Sequence, residues 1–165
     1  MTGVILFVFI ITIITACSSL DCPLNNTVYT KYMLKGENAP LADTLTITTL
    51  RSIDGSDSVL INQQVNTDSF ELPISYAQDK DIIYIERRDT NAISSIYKQT
   101  SKDTVVITKT NEPHFESVDC NASYFHTITD VTYTRNGIDS IKINNSKVNY
   151  DTTKPHFLIY FKLND

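Results

Sequence analysis

The chain has 165 residues, the size of one domain, with 41% hydrophobic and 20% charged residues and a formal net charge of −5. Its 10 Val, 20 Ile and 21 Thr stand against 6 Ala and 11 Leu, which argues against an all-α bundle, because branched β-carbons suit a pleated surface and crowd a helix. The hydrophobic fraction argues against a disordered tail, and the acidic balance gives no basic face for nucleic acid.

The N-terminus opens on an apolar run, Val4 to Ile14, broken only by Thr12. It is shorter than the roughly 18–20 residues that span a bilayer. A short apolar core that ends in small residues has the form of a secretory leader. At its end stand Ile14-Thr15-Ala16-Cys17. This string resembles the lipobox of bacterial lipoproteins: an aliphatic residue, two small residues and a cysteine. The resemblance implies cleavage after Ala16, a diacylglycerol on the Cys17 thiol and acylation of the new amine. Two or three acyl chains make such anchoring durable, where one alone is marginal. The n-region Met1-Thr2-Gly3 departs from the pattern, having no Lys or Arg. The expected organisation is a signal peptide over 1–16, a lipidated Cys17 and short tether over 17–21, and one β-rich domain over 22–165.

An odd cysteine count in an exported chain asks for an explanation. The three are Cys17, Cys22 and Cys120. If lipid consumes Cys17, a Cys22–Cys120 disulfide is expected, closing a loop of about 100 residues. Two separate buried thiols are the alternative. Zinc is disfavoured, because His114, His126 and His156 offer no short ligand spacing.

The body reads as short strands between turn signals. Thr27–Leu34 comes first. Thr44–Leu50 alternates Leu45 and Ile47 with threonines, the mark of a half-buried strand. Asp54-Gly55 marks a tight turn into Ser58–Gln63. Ser69–Ser75 contains Pro73, which suits an edge or a strand end. Asp81–Arg87 predicts a buried strand, and Ala92–Lys98 pairs with Thr104–Lys109. Ser117–Cys120 carries the third cysteine. Phe125–Thr134 and Ile138–Ile143 flank Arg135-Asn136-Gly137, and Asn-Gly between alternating apolar runs signals a hairpin. His156–Leu163 closes the chain, with Phe157, Ile159, Phe161 and Leu163 on one face, and is expected inside a sheet. The predicted fold is all-β: a single β-sandwich or flattened antiparallel barrel of roughly eight to ten strands.

Cys22-Pro23-Leu24-Asn25-Asn26-Thr27-Val28-Tyr29, directly after a lipobox, resembles the opening of an uncharacterised family of small lipoproteins from Bacteroides-type bacteria. Phe115-Glu116-Ser117-Val118-Asp119-Cys120, the Thr134 to Ile138 turn and the aromatic last strand are similar too. The resemblance implies location, one β-rich domain and paired cysteines. It assigns no catalytic residue.

No recognised catalytic string is present: no G-x-S-x-G, H-E-x-x-H, P-loop or G-x-G-x-x-G. Asp54-Gly55-Ser56-Asp57-Ser58 resembles a calcium loop but has Val65 where the twelfth-position glutamate belongs. Period two places His126 and Asp130 on one face of a strand, a pairing that can polarise a nucleophile. Arg87-Arg88 can clamp an anion, but a solvated strand end is the plainer expectation. Nine Tyr and seven Phe can line a glycan groove, although Trp is absent. The expected function is a non-enzymatic envelope lipoprotein without cofactor, held to the membrane by Cys17 and serving as adaptor for another envelope protein, such as an outer-membrane β-barrel. A binder of glycan, peptide or another nutrient is the alternative, and a hydrolase comes third. Under the sorting pattern of enterobacterial lipoproteins, Ser18 after Cys17 implies outer-membrane delivery. Surface display in Bacteroides-type lipoproteins follows an acidic stretch just after the cysteine, and with only Asp21 in the tether that resemblance implies a domain facing the periplasm.

Overall fold

The computed structural model describes residue 22 and residues 27–50, 57–89 and 100–163. Among them run ten strands and no helix: β1 (Tyr29–Lys35), β2 (Thr44–Leu50), β3 (Asp57–Gln64), β4 (Ser69–Pro73), β5 (Lys80–Arg88), β6 (Thr100–His114), β7 (Ser123–Tyr133), β8 (Ile138–Ile143), β9 (Lys147–Val148) and β10 (Phe157–Phe161). They form a four-stranded sheet in the order β4-β1-β10-β8 and a six-stranded sheet in the order β3-β2-β5-β6-β7-β9. The two sheets face each other across one core, so the all-β sandwich expectation holds.

Alternation explains the core. Tyr32 and Leu34 of β1, Phe70 and Leu72 of β4, and Phe157, Ile159 and Phe161 of β10 point inward from the small sheet. They meet Leu45, Ile47, Ile83, Ile85, Val105 and Ile107 from the large one. Tyr32 is stacked between Phe70 and Phe157, with ring centroids 4.8 and 5.0 Å away. Burial pushes its hydroxyl well above the ordinary tyrosine range.

Two sequence expectations change. The sheet is not purely antiparallel, because β1 and β10 pair in parallel. The last strand therefore closes the small sheet between β1 and β8, as an interior strand. Leu163, expected on its inner face, lies past the strand end and is exposed.

The larger correction concerns Asn136-Gly137. It is not a hairpin turn, because β7 belongs to the large sheet and β8 to the small one. The segment is a crossover, and a buried carboxylate holds it. Asp103, 1% exposed, accepts the backbone N–H groups of Asn136 and Gly137 at 2.7 Å and of Ile138 at 2.9 Å, and the Thr134 hydroxyl at 2.8 Å. Gly137 is required by close approach. A Cβ there would lie 2.1 Å from the Ser101 hydroxyl oxygen.

Other expectations hold in outline. Thr44–Leu50 and Ile138–Ile143 are strands over the expected residues, and β4 with Pro73 is an edge strand. β2 and β3 pair antiparallel, Leu50 opposite Asp57. The Asp54-Gly55 turn between them, the expected strand Ala92–Lys98 and residues 1–21 lie outside the described residues, and Thr104–Lys109, expected to pair with Ala92–Lys98, is flanked by β5 and β7 instead.

Candidate functional site

The inward rows of the large sheet do not end in apolar residues. Extending Leu45 and Ile47 backward by two gives buried Asp43, and extending Ile83 and Ile85 forward gives buried Arg87. In β6 the row is Asp103, Val105, Ile107, Lys109, with a charge at each end. Burying a charge is costly unless it is paired and hydrogen-bonded, so these positions mark where the sandwich interior meets its two ends.

At one end Lys109 is buried completely. Its ammonium donates to the Gln78 carbonyl, donates to the Asn111 side-chain oxygen at 3.2 Å, and lies 3.5 Å from the Asp81 carboxylate. Burial raises the Asp81 carboxyl, and the Lys109 charge opposes that rise. Asn111 donates its amide hydrogens to the Gln78 carbonyl at 3.1 Å and the Asp79 carboxylate at 3.3 Å. Its oxygen is therefore turned to Lys109 and to His126 Nδ1, which is 2.7 Å away. That geometry puts the His126 proton on Nδ1 and makes Nε2 the acceptor of the ring. Burial, with the Lys109 charge, lowers the His126 pKa to about 4, so the imidazole is neutral at neutral pH.

Asp130 is not His126's partner. The pairing of β6 with β7 shifts between Thr108 and Lys109, where Asp130 and Ile128 are the successive β7 partners. This bulge at Thr129 reverses the alternation. His126 and Ile128 are buried, whereas Asp130 is exposed.

Two clefts open at this end, sharing Ile74 and Ser75. One, of about 470 Å³, is lined by Thr27, Tyr76, Ala122, Tyr124 and His126. Tyr76 and Tyr124 are stacked along it, 4.8 Å apart. The other, of about 430 Å³, is lined by Leu50, Leu60, Ile82 and Asp81. The expected disulfide is present here. Cys22 is bonded to Cys120, with Cα atoms 5.5 Å apart.

The opposite end holds a shallow cleft of about 760 Å³ lined by Arg87, Lys102, Arg135 and Lys162. Arg87 is not a solvated strand end. It is 7% exposed, sits 3.5 Å from the Asp43 carboxylate, donates to the Lys162 carbonyl at 2.7 Å and lies over the Phe161 ring. Arg88 is the exposed member, paired with Glu86 at 2.9 Å. Arg135 pairs with Asp139 at 3.2 Å, and the Lys102 ammonium lies 5.2 Å above the Tyr84 ring. β6 runs 15 residues between the two ends, about 45 Å at ordinary strand rise.

Sequence reasoning missed Lys109, Asp103 and the Asp43–Arg87 pair as buried charges. Period two, continued past the last apolar residue of each strand, was the signal that finds them. Among the described residues no group of three or more His, Cys, Asp or Glu side chains stands close enough to hold a metal.

No curated protein and no solved structure matches the chain. One family model does, over residues 44–161, from the start of β2 to the end of β10, leaving Cys22 and β1 outside and Cys120 inside. The chain therefore belongs to the family of unknown function DUF6452.

Proposed function

We propose that the protein is a bacterial envelope lipoprotein, anchored through lipid on Cys17, that acts as a non-enzymatic accessory subunit of another envelope protein. The observation that carries this is the position of the Cys22–Cys120 bridge. Only five residue steps separate Cys22 from Cys17, a reach of about 17 Å, so the bridged end stays at the membrane. The end bearing Lys102, Arg135 and Lys162 then stands away from it, toward the periplasm from the outer membrane. A tethered rigid domain supplies its partner at high local concentration, and a cationic cleft suits an acidic protein surface. The resemblance to small Bacteroides-type lipoproteins supports the same assignment. The hydrolase alternative loses its expected pair, because Asp130 is turned away from His126.

Cross-linking in native membranes, mild detergent extraction and mass spectrometry test this. One reproducible envelope partner is expected, together with a diacylated or triacylated Cys17 peptide. Lys102→Glu with Arg135→Glu is expected to lose that partner while keeping the lipid. A protein that arrives alone, or a variant that keeps its partner, overturns the proposal.

Ligand binding is the second reading, favoured by the His126 acceptor beside the stacked Tyr76 and Tyr124. Screening glycans and peptides tests it. Binding lost on His126→Ala supports it, and no binding removes it.

A further inference from the structure

We propose that the disulfide end of the sandwich is a second membrane contact: its exposed aromatic and aliphatic side chains rest in the lipid headgroup region beneath the tether. This deepens the lipoprotein reading above and rests on it for its geometry. Four of the ten exposed large hydrophobic residues among those described belong to this end: Tyr76, Phe115, Val118 and Tyr150. Val118 is 97% exposed and Phe115 60%, on the loop that carries Cys120. Tyr76 lines a cleft there and stacks on Tyr124, which lies opposite Pro113 near the end of β6. Tyr150 meets Phe125 edge-on at 5.2 Å, and Phe125 stacks on His114 at the end of β6.

The chain leaves this surface little freedom to be elsewhere. Val118 is two residues from Cys120, whose Cα is 5.5 Å from that of Cys22. Cys22 in turn is five residue steps from the lipid-bearing Cys17. The whole path is about 30 Å at full extension, roughly one hydrocarbon-core thickness. Exposed aliphatic side chains so near a bilayer find apolar surface to cover, and tyrosine prefers the interface, with its ring apolar and its hydroxyl wet. Glu112, Glu116 and Asp119 flank the patch and stay exposed, so the surface that fits is a zwitterionic headgroup layer rather than an anionic one.

The chain contains no Trp, so single-Trp variants report depth without background. The test uses the full lipoprotein, purified from membranes and reconstituted into phosphatidylethanolamine–phosphatidylcholine vesicles with brominated acyl chains. Val118→Trp and Leu163→Trp place the reporter at exposed positions on opposite ends. Emission from the Val118→Trp variant is expected to fall by roughly twofold or more and shift to the blue, with Leu163→Trp unchanged. Equal, weak quenching of both in protein whose N-terminal peptide carries the lipid overturns the inference and leaves the lipoprotein reading standing. A peptide without lipid overturns that reading instead. Vesicle quenching of the unlipidated Val118→Trp protein then supports the contact independently, and its absence overturns it.

Discussion

The two ends of the sandwich handle the same problem, a charge at the end of an inward-facing strand row, in different ways. At the crossover end Asp103 is spent on backbone: three successive N–H groups and one hydroxyl saturate its carboxylate. The chain path from the large sheet to the small one is thereby fixed. At the disulfide end Lys109 is held by a carbonyl, an amide oxygen and a carboxylate that is itself 17% exposed, beside open clefts. A carboxylate that organises backbone donors makes a rigid corner. A lysine that organises side chains next to solvent makes a polar, pH-sensitive one.

The largest expected break is at the staple. Cys22→Ser with Cys120→Ser opens a loop of 98 residues and is expected to cost about 4–5 kcal/mol in the chain-entropy account. Denaturant unfolding with and without reductant measures it, and a wild-type protein indifferent to reductant contradicts it.

Next comes the contrast between the row ends. Asp103→Ala orphans buried N–H groups in the crossover and is expected to cost about 3–4 kcal/mol. Lys109→Met keeps the volume, and partly hydrated Asp81 tolerates the loss, so about 1–2 kcal/mol is expected. Equal costs in urea unfolding would erase the distinction between the two ends.

The pH response sharpens the comparison. His126 in the unfolded chain binds a proton below about 6.5, but in the folded chain only near 4. Between those values the unfolded state holds more protons. This contribution to stability is therefore fully present above pH 6.5 and is lost as pH falls toward 4. Burial lowers the His156 pKa too, with the same sign, while the raised Asp81 acts in the opposite sense. His126→Asn keeps a donor toward Asn111 without the titration. Its stability is expected to fall less than the wild type's between pH 7 and pH 4.5, and parallel curves would place the pH sensitivity elsewhere.

The β-rich class, most strand positions, the edge position of β4 and the interior position of the last strand were legible in the sequence, because alternation and β-branching act locally. The buried charges were equally legible in the row Asp103-x-Val105-x-Ile107-x-Lys109, had period two been carried past the apolar residues. The His126–Asp130 pairing failed for a non-local reason: one extra residue at Thr129 against β6 reverses which side chains face inward.

The sequence by itself determined the strand-rich class, the cysteine parity behind the Cys22–Cys120 bridge and the apolar rows of the core. These follow from side-chain shape and period, which each segment carries alone. Only the tertiary structure decided that Asn136-Gly137 crosses between sheets rather than turning a hairpin, that β1 runs parallel to β10, and that Arg87 is buried on Asp43. Each depends on which strand lies beside which, and strand order is set by the joint burial of residues distant in the chain.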